Sequence, residues 1–164
     1  MSNINKQLTK DATRAGICAE WHKRMAETTD FGEFMNMYYK GIDFCIKNKF
    51  PTLEYIRKNL KGKTESYGGF IDEEMRVESL KYSVARGTTR GTAVYKNFDV
   101  CRIFLFEDSE VEVHVSGNAF VMVDLYDNAK VSIIATDEGK ATVMQHGGEV
   151  NIINDNGKIK ILKK

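Results

Sequence analysis

The chain has 164 residues, 29 % of them charged and 42 % hydrophobic, with a formal net charge of +1. That length suits one good core or two small ones, and the near-neutral balance excludes the one-signed field of a dedicated duplex-DNA binder or a polybasic membrane anchor. The three cysteines, Cys18, Cys45 and Cys101, are odd in number and far apart among apolar neighbours, so they read as reduced, buried thiols suited to a reducing cytoplasm.

The first residues, MSNINK, lack the apolar core of a signal peptide, and no run of about 18 apolar residues follows. The chain is therefore expected in the cytosol, with no membrane span. Leu8, Ala12, Ala15, Ala19, Trp21 and Met25 suit one or two amphipathic helical segments interrupted near Gly16. Asp30 can cap the next helix, in which Phe31, Phe34, Met35, Tyr38, Ile42, Cys45 and Ile46 recur every three or four residues. Pro51 marks the start of a short third helix through Leu53, Ile56 and Leu60, which Gly62 can end in a left-handed cap. These three helices form a helical head over residues 1–62.

Residues 63–90 read as a connector with one or two irregular strands. From Gly91 the hydrophobic period switches to two, and short strands recur about every ten residues with Asp, Asn or Gly between them. Two such units make one coil, so alternate strands stack in parallel as a single-chain β-solenoid over 91–164. The expected fold class is α+β, a small helical head followed by a short solenoid. The terminal lysines discourage further strand addition at its far end.

Sorting outward positions separates two faces. The first carries Arg102, Phe104 and Phe106, then Phe120, Met122 and Asp124, then Thr142, Met144 and His146, then Lys158, Lys160 and Leu162. The second carries Glu110, Glu112, His114, Lys130, Ser132, Ile134, Glu149, Asn151 and Ile153. A stripe of Phe104, Phe106, Phe120, Met122 and Met144 demands a cover, because soluble proteins seldom leave such patches in water. The chain's own head is one candidate; another subunit or a partner protein is the sharper one, with these five residues as interface anchors.

Sites for chemistry are sparse. Lys61-Gly62-Lys63-Thr64 has the end of a phosphate-binding loop without its earlier glycine or its strand-to-helix setting, and reads as a helix cap. His22, His114 and His146 lie on different elements, and no Cys or His pair has zinc spacing. His114 beside Glu110 and Glu112 reads as a solvated face. Cys18 near Trp21 and His22 reads as a buried helix thiol. Asp108, Asp124, Asp127, Asp137 and Asp155 are assigned to Asx turns at strand ends rather than to calcium. No catalytic residue, cofactor or metal ligand is expected, and the acidic balance of residues 99–127 speaks against single-stranded nucleic acid on the first face.

Residues 41–51 (GIDFCIKNKFP), 67–72 (YGGFID) and 117–131 (GNAFVMVDLYDNAKV) resemble a group of small uncharacterised proteins encoded by phages and prophages of gut anaerobic bacteria. The resemblance runs over nearly the whole length. It implies a helical N-terminal part, a β-solenoid-like C-terminal part and expression inside an infected or lysogenic cell, with no functional residues to carry across. The expected function is that of a non-enzymatic interaction or assembly protein presenting its apolar solenoid face to itself or to a host or viral protein, in the bacterial cytoplasm or in a virion. The alternative is a ligand-sequestering inhibitor of a bacterial defence system, acting on a nucleotide signal or a defence protein.

Overall fold

Strands become possible where apolar side chains alternate, and helices where they recur every three or four residues. A computed structural model of the chain describes residues 3–164 and follows that division. It has two compact units, one ending at Tyr67 and the other beginning at Gly68.

The first unit holds α1 (Asn3–Arg14), α2 (Ala19–Glu27), α3 (Phe31–Lys40), α4 (Ile42–Asn48) and α5 (Leu53–Asn59), followed by a short 3-10 turn at Glu65–Tyr67. Among the described residues five helices thus stand where three were expected. Gly16, at φ +86°, separates α1 from α2, and the helix expected from Phe31 onward breaks at Gly41. There φ −101° and ψ 22° leave the helical range, although Gly41 N–H still donates to Met37 O and Cys45 N–H to Gly41 O. Asp30 and Thr52 cap α3 and α5 by accepting from Glu33 N–H and Tyr55 N–H. Pro51, joined to Phe50 by a cis bond, lies before α5 rather than inside it. Asn5, 1 % exposed, ties α1 to the end of α2 by donating to the carbonyls of Met25, Ala26 and Thr28. Tyr55 Oη donates to Ile4 O at 2.9 Å and so ties in α5. Burial of that phenol pushes its pKa up to about 12.

The second unit is a solenoid of eleven strands: β1 (Gly69–Ile71), β2 (Glu74–Glu78), β3 (Tyr82–Arg86), β4 (Arg90–Tyr95), β5 (Val100–Leu105), β6 (Glu110–Val115), β7 (Phe120–Leu125), β8 (Lys130–Ala135), β9 (Lys140–Gln145), β10 (Glu149–Asn154) and β11 (Ile159–Lys163). Odd strands form one parallel sheet in the order β1-β3-β5-β7-β9-β11, and even strands a second in the order β10-β8-β6-β4-β2. Between β4 and β9 partners are twenty residues apart, as in Cys101↔Val121↔Ala141 and Val111↔Val131. The solenoid therefore begins at Gly69, and residues 69–90 of the stretch read as a connector over 63–90 form its first coils.

Each sheet faces the other on one side only, which is why the alternation of apolar and polar residues survives in parallel strands that elsewhere read as continuous apolar runs. Ile103, Leu105, Val121, Val123, Leu125 and Val143 from one sheet meet Val111, Val113, Val115, Val131 and Ile133 from the other, all at 0–1 % exposure. Burying each such side chain contributes about 1.5–3 kcal/mol before entropy is subtracted.

Corners repeat as strictly as strands. In each, the fourth residue donates back to the first: Ser109 to Phe106, Ala119 to Ser116, Ala129 to Tyr126 and Gly139 to Thr136. The second residue has positive φ, between 51° and 60° at Asn97, Glu107, Gly117, Asp127 and Asp137, a region Asn, Asp and Gly tolerate best. Glu107 is the exception, and its carboxylate is held by Arg86 and by Gly87 N–H at 2.8 Å. Corner acids also bind the coil before them: Asp127 accepts from Glu107 N–H at 3.0 Å and Asp137 from Gly117 N–H at 3.1 Å. Of the five aspartates assigned to Asx turns, Asp155 makes one of its own, with Gly157 N–H, Asp127 and Asp137 bridge coils instead, and Asp108 accepts from Asn128 Nδ2 one coil on. Asp124 lies inside β7 and is 2 % exposed.

Candidate interaction surface

The outward side of the odd-strand sheet is built in columns, because parallel in-register pairing stacks each position on its counterpart one coil away. Val84, Phe104, Asp124, Met144 and Leu162 form one column; Tyr82, Arg102, Met122, Thr142 and Lys160 a second; Val100, Phe120 and Lys140 a third. The five apolar anchors expected from the sequence do not form one open stripe. Phe104 is 1 % exposed and Phe106 8 %, while Phe120, Met122 and Met144 are half-buried.

Phe104 lies under the Arg102 guanidinium, 4.8 Å from its ring centre. The same guanidinium forks onto Asp124, with Nε 2.7 Å from Oδ2 and Nη2 3.0 Å from Oδ1. Phe106 occupies a corner rather than a strand. It stacks on Tyr126 at 4.9 Å, and Tyr126 on His146 at 4.4 Å, with the Arg86 guanidinium 5.2 Å from the other end of the pile. These aromatics are contacts within the solenoid.

What stands in water is a different set. Phe98 is 80 % exposed and Val100 69 %. Val100 is directly paired with Phe120 across β5 and β7. All three break the repeat. In the corners before β4–β9 the third position is otherwise Thr88, Asp108, Asn118, Asn128 and Glu138, and in β4–β10 the first strand position is otherwise Arg90, Glu110, Lys130, Lys140 and Glu149, whereas one coil before Val100 the register places the apolar Leu80. Aligning the corners at ten-residue spacing would have exposed this signal; sorting strand positions by parity could not, because Phe98 is not in a strand.

The patch is rimmed by fixed charges. Lys96 pairs with Glu78, which holds the lysine pKa above its usual range. The Asp99 carboxylate accepts from Ser79 Oγ at 2.6 Å and from Lys96 N–H at 2.8 Å, and these two bonds hold its pKa below the usual carboxylate range. Lys140 continues the column past Phe120.

The even-strand sheet presents an alternating charge ladder, Glu74↔Arg90↔Glu110↔Lys130↔Glu149, with ion pairs at Arg90–Glu110 and Lys130–Glu149. Glu110, Lys130, Ser132, Glu149 and Asn151 edge an open depression there. His114 Nε2 is 2.5 Å from Glu112 Oε1 on the same face.

The remaining candidates for chemistry are scattered. Cys45 and Cys101 are buried, and burial pushes the Cys101 thiol up to about 11. Cys18, expected inside a helix, is exposed and precedes α2, because the segment after Gly16 is extended there. α5 ends at Asn59 with Leu60 as its C-cap, at φ −117° and not left-handed, so Gly62, at φ +74°, lies in the turn after the cap instead of forming it, and in the Lys61–Thr64 stretch Lys63 Nζ donates to Asn59 O. Among the described residues no three His, Cys, Asp or Glu side chains are placed to hold a metal ion, and no helix is long and apolar enough to cross a membrane. No protein-family model, curated protein or solved structure matches this chain.

Proposed function

We propose that the chain is a non-enzymatic interaction or assembly protein of a phage or prophage, acting in the bacterial host cell. Its solenoid lays the Phe98–Val100–Phe120 surface against another copy or against a host or viral protein. The observation that carries this reading is the break in the repeat: Phe98, Val100 and Phe120 stand at positions that β4, β6 and β8–β10 and the neighbouring corners fill with polar residues, and two of the three are at least 69 % exposed. Such residues add nothing to the solenoid core. Together Phe98 and Val100 offer on the order of 250 Å², the size of a hot spot rather than of an obligate interface. An apolar centre with a charged rim is the usual anatomy of a protein-binding surface.

The test compares wild type with a Phe98→Asp/Val100→Asp variant immobilised against lysate of infected host cells, with light scattering of each protein alone. The reading requires a captured protein, or a self-associated species, that the wild type retains and the variant loses while its circular dichroism is unchanged. Identical capture and identical mass for both proteins would overturn it.

A further inference from the structure

The two sheets divide between them the charge that the whole chain balances. Asp124 is the only acidic residue in the strands of the odd sheet, and it is 2 % exposed and held by Arg102. The same strands carry Arg86, Arg102, Lys140, Lys160 and Lys163. The even strands carry Glu74, Glu78, Glu110, Glu112 and Glu149 against Arg76, Arg90 and Lys130. The odd sheet therefore turns no exposed carboxylate outward, and Val100 and Phe120 belong to it.

Acids bordering the patch are engaged within the molecule. Glu78 is paired with Lys96, Asp99 accepts from Ser79 Oγ and Lys96 N–H, and Glu138 is paired with Lys158. Two lysines are not engaged in this way. Lys81 lies in the coil before Val100, where its carbonyl accepts from Arg102 N–H, and its Nζ stands 5.6 Å from the Tyr82 ring centre. Lys140 follows Val100 and Phe120 in their own column. Both lysines are exposed, and among the described residues neither has a carboxylate partner. At about 4.8 Å per coil, the register from Lys81 to Lys140 sets the two charges roughly 14 Å apart, one at each end of the apolar patch.

We infer that the partner presents an acidic segment to this surface, with aliphatic or aromatic side chains against Phe98, Val100 and Phe120 and carboxylates at Lys81 and Lys140. The inference rests on the reading of the patch as a protein-binding surface and names the chemistry of the protein that binds there. Opposite charges steer the two together and fix their register, whereas a basic segment meets no exposed carboxylate on the odd sheet. In an extended segment the span between the lysines corresponds to carboxylates about four residues apart, with apolar residues between them. A single-stranded nucleic acid matches the sign of the charge but not its spacing, because every nucleotide carries a phosphate and would set charge over Val100 and Phe120.

The probe is a fluorescein-labelled peptide of about ten residues, roughly 33 Å long when extended, with a pair of glutamates on each side of a Leu-Trp-Leu centre; its counterpart has lysine at each glutamate. Fluorescence anisotropy with the full chain should give the acidic peptide a Kd on the order of 10–100 μM and the basic one a Kd at least about tenfold weaker. Lys140→Gln should weaken binding of the acidic peptide by about two- to fivefold, and salt at about 0.5 M should weaken it further. Lys130→Gln, the same loss of charge on the even sheet, should leave it unchanged, and circular dichroism checks the fold of each variant. Equal binding of the two peptides, no binding of the acidic one, equal loss in the two lysine variants, or tighter binding of an oligothymidylate of the same length would each overturn the inference. If lysate capture is still lost in Phe98→Asp/Val100→Asp, such a result removes the acidic partner and keeps the binding surface; if capture is unchanged in that variant, the surface fails and this inference with it.

Discussion

Arg102→Met should cost the solenoid about 3 kcal/mol, well above what an exposed ion pair is worth. Asp124 is 2 % exposed and accepts both fork bonds from Arg102. Without the guanidinium its carboxylate stays buried and uncompensated, which in general costs about 3–5 kcal/mol. The converse change is milder. The Arg102 side chain is 38 % exposed, so in Asp124→Leu the guanidinium can turn to water, and the expected cost is about 1 kcal/mol. The double variant should then resemble Asp124→Leu alone, giving a coupling energy of about 2–3 kcal/mol in a double-mutant cycle. Urea unfolding at neutral pH, followed by circular dichroism, measures all four proteins. Equal costs for the two single variants, or additive costs in the double, would refute the claim that the buried acid is the expensive partner.

Phe98→Ser should leave stability within about 0.5 kcal/mol, since the ring is 80 % exposed, yet weaken binding of the captured partner by about 30-fold, as loss of a hot-spot aromatic worth about 2 kcal/mol does; surface plasmon resonance reads the ratio. Gly139→Ala should destabilise by about 1–3 kcal/mol, because its Cβ would lie 2.6 Å from Val115 O; a melt unchanged from wild type would contradict this. Asp99, whose carboxylate is held below its ordinary pKa of 3.8 by Ser79 and Lys96 N–H, stabilises the fold above that value and loses the effect as pH falls through its lower folded value. The deficit of Asp99→Ala in urea unfolding should therefore be present at pH 7 and vanish at the acid end of a titration. A thiol reagent should modify Cys18 at once in the native protein and reach Cys45 and Cys101 only on unfolding, since both are buried and burial raises the Cys101 pKa. Three equally fast thiols would contradict this.

The coil was legible because a solenoid writes its geometry into the chain twice, as alternation within a strand and as recurrence between strands. From Gly91 onward both signals agree. Residues 69–90 were harder: β1 is only three residues long, and the corners at Asp72 and Ser79 put positive φ on residues that do not announce it as Asn-Gly would. The helix from Phe31 had an unbroken apolar period, and only the backbone at Gly41 divides it into α3 and α4. The surface was legible in part. Phe120 and Met122 lie where parity put them, but Phe104 is covered by Arg102 of its own strand, which Asp124 one coil on holds in place, and Phe106 lies between Arg86 and Tyr126, one coil away on either side. Parity tells which way a side chain points and not what its neighbour twenty residues away does with it.

Those neighbours supply the missing rule. Since each coil of a solenoid sees nearly the same surroundings, the fold asks the same of each coil, and a residue that departs from its column is answering something else. Some departures are answered inside the molecule: Asp124 among Val84, Phe104 and Met144 is matched by Arg102, and Glu107 at a positive-φ corner by Arg86. Phe98 and Val100 have no such answer in their columns, both standing more than two thirds exposed. The apolar residues that depart from the repeat thus stand uncovered on the flank of the solenoid, the kind of surface that a protein partner buries.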